Sequence, residues 1–232
     1  MKSAVCVVVS LLVGFFALAG VANAQNSKEM NAAVERVDKS SEVMTEIMKI
    51  PDKSIPTDLL QKTKAIVVFP GSIKAGFIIG GQGGKGVAIS RLGNGWSAPA
   101  FVNMGGGSVG FQIGAEKTDY VLLIMNDKGL RGILEDKFEV GGEGSVAAGP
   151  VGRTTAASTN ATMDSEILTY SRSKGVFAGI SLKGVVISQD KDMNTGVYKK
   201  EAKEILETPG VAASTAPASL RKFPDTVASL AR

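Results

Sequence analysis

Hydrophobic residues recur at three- and four-residue spacing between Ser27 and Ile50, at Val34, Val37, Met44, Ile47 and Met48. Glu35, Arg36, Lys39 and Glu42 fall between them. That period predicts an amphipathic helix. Ser27 is placed to cap it, Glu29 stands near the positive end of its dipole, and Pro51 stops it. A short second helix is predicted over Pro56–Lys62, with the proline in the first turn, where its missing N–H costs nothing. The apolar stripe of the first helix has two possible uses, docking on the domain or lying on a membrane. Its polar face mixes acids with bases and lacks the Lys/Arg excess of a strong surface binder.

From Ala65 the period becomes that of strands. Ile66–Phe69, Gly76–Gly80, Val87–Arg91, Trp96–Met104, Ser108–Gly114 and Tyr120–Met125 are short, β-rich runs separated by Gly, Pro or Asn. Asn94-Gly95 is the strongest hairpin-turn signal in the chain. A short helix is predicted at Lys128–Asp136. Further strands follow at Phe138–Val140, Ser145–Ala148, Ala157–Ala161, Leu168–Arg172, Phe177–Ser181 and Val185–Ser188. Lys199–Glu207 reads as a helix, Thr208–Pro217 as a linker rich in Ala, Ser, Thr and Pro, and Leu220–Leu230 as a loose terminal helix. The pattern describes an α+β domain. Its core is glycine-rich, mainly antiparallel and sandwich- or barrel-like, with N-terminal helices and a C-terminal helix.

The N-terminus reads as a targeting segment. Lys2 precedes an uncharged apolar run from Ala4 to Val21, and Ala22-Asn23-Ala24 supplies an A-x-A cleavage site. These are the parts of a secretory signal peptide, the alternative being a retained transmembrane anchor, for which the run is near the lower length limit. Residues 1–24 are therefore expected to be removed and the protein exported to the periplasm or cell envelope. Residues 25–207 then form one domain and 208–232 a C-terminal tail. The single cysteine, Cys6, leaves with the signal, so stability rests on burial without disulfides.

The chain of 232 residues carries no histidine and a formal charge of +4. The first fact removes the commonest general base and zinc ligand. The second is too small to argue for nucleic acid and implies weak attraction to anionic surfaces at most.

Candidate chemistry narrows accordingly. Gly81-Gln82-Gly83-Gly84-Lys85-Gly86 matches G-x-G-x-x-G, but a strand follows where a dinucleotide site needs a helix. Gly106-Gly107-Ser108-Val109-Gly110 matches a nucleophile elbow without a histidine to activate Ser108. Asp190, Asp192 and Asn194 alternate ahead of Gly196 and Glu201, a weak calcium pattern with its glycine one place late for an EF-hand. No cofactor and no catalytic residue is assigned. In an extended Leu168–Lys174, Tyr170, Arg172 and Lys174 share one face. Two cations beside an aromatic suit a phosphate or lipid headgroup, and they equally suit an edge strand charged against aggregation.

Several stretches together resemble a known family, the SYLF domain, a lipid-binding module also described as an actin-regulating domain in fungal members. They are Ala65–Pro70 (AIVVFP), Lys74–Gly86, Gly95–Pro99 (GWSAP), Gly107–Gly114, Gly149–Arg153 (GPVGR), Tyr170–Phe177 (YSRSKGVF), Gly179–Leu182 and Asn194–Tyr198. In the family's order they cover about Leu59 to Leu206. The resemblance implies binding of anionic phospholipid or a membrane surface without catalysis. With an export signal in front, envelope phospholipids replace phosphoinositides and actin as the natural partners. The residues expected to meet the headgroup are Lys74, Lys85, Arg153, Tyr170, Arg172 and Lys174, with apolar contact from the N-terminal helix or the glycine-rich loops. The alternative function is an envelope scaffold that binds protein partners through sheet edges or the N-terminal helix.

Overall fold

The structure, a computed structural model, describes residues 27–50, 54–76, 79–93, 95–109, 114–135, 137–142, 145–152 and 165–232. The expected signal peptide, Arg153 and the strand predicted at Ala157–Ala161 lie outside these residues.

Helix α1 spans residues 27–48, and α2 spans Thr57–Lys62 with Pro56 at its N-cap. Four long strands, β1 (Ala65–Gly76), β2 (Ile79–Leu92), β4 (Ala100–Val109) and β5 (Gly114–Ile124), follow from the apolar runs, with the two-residue β3 (Gly95–Trp96) between β2 and β4 in the chain. Then come α3 (Asp127–Leu134), β6 (Lys137–Val140), β7 (Val146–Ala148), β8 (Ile167–Ser173), β9 (Val176–Gly179) and β10 (Val185–Gln189). Helices α4 (Lys191–Tyr198), α5 (Ala202–Leu206) and α6 (Lys222–Leu230) close the described chain. The strands form one curled sheet in the order β6-β10-β4-β2-β1-β5-β8-β7, with β3 paired to β2 and β9 to β8. Every pairing is antiparallel except β7 with β8.

Both faces of the sheet's inner half are covered, which is why its strands read as nearly continuous apolar runs. Alternation sends Ile66, Val68, Val87, Ile89, Val121 and Leu123 toward α1, α2 and α6. It sends Val67, Phe69, Ala88, Leu122 and Ile124 toward α3 and α5. Ala33, Val37, Met44 and Ile47 of α1 are buried in the first layer, each worth up to about 1.5–3 kcal/mol for the larger side chains. The apolar stripe of α1 therefore docks on the sheet. It is not free to lie on a membrane.

Several elements differ from the sequence reading, and the strand predicted at Trp96–Met104 is broken into β3 and β4. The hairpin between β2 and β3 closes with Leu92 opposite Gly95, one residue ahead of an Asn94-Gly95 turn. The polar stretch after Asp190 is a helix, α4, rather than a turn. Residues 208–232 are no loose tail: Ala98 N–H donates to the Val211 carbonyl at 2.6 Å, and Leu220, Phe223 and Val227 are fully buried in the α1-side core. Among the described residues no helix is long and apolar enough to cross a membrane.

Candidate functional site

The expected headgroup site at Tyr170–Lys174 comes apart in three dimensions. Tyr170 is fully buried, its ring stacked on Phe177 at 5.4 Å and its hydroxyl donating to the Pro150 carbonyl at 3.2 Å. Burial pushes its phenol well above the usual value. A Cβ on Gly149 would lie 2.0 Å from the Tyr170 ring, and one on Gly179 would lie 1.9 Å from the Gly149 carbonyl oxygen. The GPVG, YSRSKGVF and Gly179 motifs are thus one packing unit around a core tyrosine. Tyr170 meets no headgroup.

Arg172 shares the face of Tyr170, as the alternation predicted, but that face meets α1 and both ends of its guanidinium are taken. It donates to Asp119 on β5 at 2.8–2.9 Å and pairs with Glu46 on α1. Lys174 falls in a two-residue turn between β8 and β9, where it and Gly175 have φ of 50° and 78°. Positive φ at both positions is the geometry of a type I′ hairpin. Lys174 is exposed there, next to Val176 at 69% exposure.

Lys74 and Lys85 lie on opposite faces of the glycine-rich outer half of the sheet. Lys74 pairs with Gln82 and Glu116, on the side away from α1, whereas Lys85 pairs with Asn103 on the α1 side. Arg153 cannot be added to either group, because it is outside the described residues.

The weak calcium pattern is committed to structure. One Asp190 oxygen caps α4 by accepting from Met193 N–H at 3.3 Å, and the other pairs with Arg36 at 2.7 Å. Asn194 is buried, its Oδ1 accepting from Phe101 N–H at 2.7 Å and its Nδ2 donating to the Phe101 carbonyl at 2.9 Å. Asp192 is exposed in the first turn of the helix. Among the described residues no acidic cluster fit for a metal forms. The Gly81–Gly86 run is strand throughout, so no helix N-terminus stands ready for a phosphate.

A different grouping does form. Between α1 and the outer half of the sheet lies an open groove of about 680 Å³. Glu35, Arg36 and Lys39 line it from the helix, and Ile73, Lys85 and Asn103 line it from the sheet. Arg36 is nearly buried, held by Asp190 and placed 5.8 Å from the centre of the Phe101 ring. Lys39 is exposed and bonded to Glu35 at 2.5 Å, which holds the Glu35 carboxyl below its usual range. Lys85 is exposed and has no ion-pair partner among the described residues. Ile73 is 51% exposed beside them. Sequence reading found Lys85 and missed Arg36 and Lys39. The available signal was their position on the flank of the apolar stripe, which turns them toward whatever α1 docks on.

Comparison with known proteins gives this fold its context. A family described as "Ysc84: Las17-binding protein actin regulator" matches residues 105–230, more than half of the chain. SH3 domain-containing YSC84-like protein 1 of Rattus norvegicus is 34% identical over 167 residues, covering 69% of this chain and 49% of that protein. Its Homo sapiens counterpart is 33% identical over 167 residues, covering 69% of this chain and 48% of that protein. Protein YSC84 of Saccharomyces cerevisiae is 36% identical over 151 residues, covering 63% of this chain and 32% of that protein. The chain spans about half the length of the mammalian relatives and about a third of the yeast one. With residues 105–230 matched end to end through the buried C-terminal helix, the chain belongs to the Ysc84 family, the SYLF-domain proteins.

Proposed function

We propose that this chain is a non-enzymatic phospholipid-binding protein of the periplasm or cell envelope that holds anionic headgroups with surface lysines. The observation that carries the reading is the groove between α1 and the sheet, which sets Lys85 and Lys39 beside the exposed Ile73. Cations next to an accessible apolar side chain suit a charged interface with hydrocarbon beneath it. Each surface cation contributes on the order of 1 kcal/mol near an anionic membrane, and the contribution is screened by salt. Lys174 and Val176 at the β8–β9 turn offer a second contact of the same kind.

Flotation with vesicles of phosphatidylglycerol and of phosphatidylcholine tests it. Binding to the anionic vesicles alone, weakening with salt and dropping at least about thirtyfold in Lys39→Glu with Lys85→Glu, is the expected result. Absence of binding at low salt, or binding indifferent to the two reversals, overturns it.

A protein-binding scaffold is the second reading, favoured by relatives such as LAS seventeen-binding protein 3 of Saccharomyces cerevisiae, 37% identical over 151 residues. Its mark is a stable complex on cross-linking in the envelope together with no vesicle flotation.

A further inference from the structure

The glycine-rich half of the sheet has two faces of opposite character. On the side away from α1, glycine is required. A Cβ on Gly84 would lie 2.2 Å from Ser72 Oγ, one on Gly86 2.4 Å from the Phe69 ring, and one on Gly106 2.6 Å from the Gly184 carbonyl. On the α1 side it is not. A Cβ on Gly81 would have its nearest neighbour at 4.0 Å and one on Gly83 at 3.7 Å, while Gly105 and Gly107 face open space within 4 Å. None of these four has positive φ, and all four are exposed. Glycine inside a strand is destabilising unless a turn, a close approach or a ligand calls for it. Neither of the first two applies here.

The register shows what the four build. Ile73 pairs with Gly83, Gly83 with Gly105, and Gly105 with Val186, in one row across β1, β2, β4 and β10. Gly81 pairs with Gly107 in the next outward row. Ile73 at 51% exposure and Val186 at 36% are two of the three exposed large apolar side chains among the described residues. They stand as walls three strand spacings apart, about 14 Å, with a floor that has no side chains. The inner end of this trough meets Lys85 and Asn103 and opens into the groove beside Lys39.

We propose that the trough seats one phospholipid molecule, its anionic headgroup at Lys85 and an acyl chain over the glycine floor. This rests on the lipid-binding reading above and adds to it a stoichiometric site. The charge distribution is that of an amphiphile: Lys85 and Lys39 stand at the inner end, and the aliphatic Ile73 and Val186 flank the glycine floor, with Lys117 and Glu139 outside them on the neighbouring strands. The floor strands β2 and β4 are paired on both sides, so their backbone groups are spent within the sheet. A peptide would find few hydrogen bonds there, whereas a hydrocarbon chain needs none.

The test incubates the full-length chain with phosphatidylglycerol vesicles, separates it from them by gel filtration, and weighs it by native mass spectrometry. One retained lipid per chain is expected. Gly83→Val with Gly105→Val fills the floor with β-branched side chains that strands favour. That variant is expected to melt at or above the parent temperature and to retain at least tenfold less lipid. Lys85→Glu is expected to lose retention without touching the floor. Should the double variant melt lower, Gly105→Leu alone gives the same readout where no neighbour crowds it. Flotation without a retained lipid leaves surface binding standing and overturns the trough. Retention unchanged by the floor variants overturns it as well, as does a lipid-free dimer that the floor variants dissociate, which assigns the trough to a second copy.

Discussion

Arg172 on β8 is bound to its register partner Asp119 on β5, and through the same guanidinium to Glu46 on α1. The Arg172 and Asp119 side chains are only 22% and 16% exposed, which separates this pair from ordinary surface ion pairs. Arg172 therefore ties the helix to the sheet, with both ends of its guanidinium already paired. Arg172→Ala is expected to cost about 1–2 kcal/mol in urea unfolding and to leave vesicle binding unchanged. Burial already pushes the Asp119 carboxyl up, and losing its cation pushes it further. In the variant the folded state then holds the Asp119 proton more tightly than the unfolded state does. Its stability deficit should grow as pH rises through the carboxylate range and shrink as pH falls.

Asn194 carries a second such test. Its amide satisfies both backbone groups of Phe101 from a fully buried position, acting as a strand partner supplied by a side chain. Asn194→Ala leaves the buried Phe101 N–H unpaired, while the Phe101 carbonyl keeps its bond from Asp190 N–H at 2.9 Å, so the expected cost is about 1–3 kcal/mol. Guanidinium unfolding checks the magnitude, and faster amide exchange at Phe101 checks the cause. Because Asp190 is held by Arg36 and by the α4 cap, added calcium is expected to leave the melting temperature of the parent chain unmoved.

How far the sequence reaches is visible in these residues. The period of α1 was legible because Val37, Met44 and Ile47 face one continuous core, and the strands were legible because their apolar runs are buried on both sides. The partners of Tyr170 and Arg172 were not. Alternation places both on one face, but whether that face meets water depends on α1, over a hundred residues earlier. The row Ile73–Gly83–Gly105–Val186 was equally hidden, since it comes from three registers between separate strands. A glycine cluster reads the same in sequence whether its members are crowded, like Gly86, or open, like Gly105. Segment 208–217 misled by composition: its backbone pairs with the loop between β3 and β4, as the Ser97–Ala212 bridge and the Ala98–Val211 bond show, and Ala216 is buried.

The C-terminal helix supplies the third prediction. Phe223 is fully buried against the same core that receives α1. Phe223→Ala is expected to cost about 3–5 kcal/mol, as large-to-small changes at filled sites do. Truncation after Glu207 should do worse, exposing Leu220's and Val227's core partners together. The measurements are thermal melting of the substituted chain and dye binding to exposed apolar surface in the truncated one. A truncated chain that melts cooperatively near the parent temperature would refute this.

The three tyrosines give the clearest dependence on pH. Burial raises Tyr120, Tyr170 and Tyr198 above their usual value of 10, the last two strongly. In the unfolded chain each phenol ionises near that usual value. Below it both states hold their phenolic protons, and these groups leave stability independent of pH. Above it the unfolded state loses protons that the folded state keeps, so stability must fall as pH rises. Phenolate absorbance in the native protein should therefore stay low past the usual midpoint and then appear together with loss of the near-ultraviolet dichroism of the core. Tyr170→Phe tests the assignment: it removes one buried phenol and its bond to Pro150. The substituted chain should begin less stable at neutral pH, by about 1 kcal/mol, and lose stability less steeply in alkali. A phenolate signal rising at the usual midpoint while the fold remains intact would place these rings in solvent and contradict the packing of Tyr170 against Gly149.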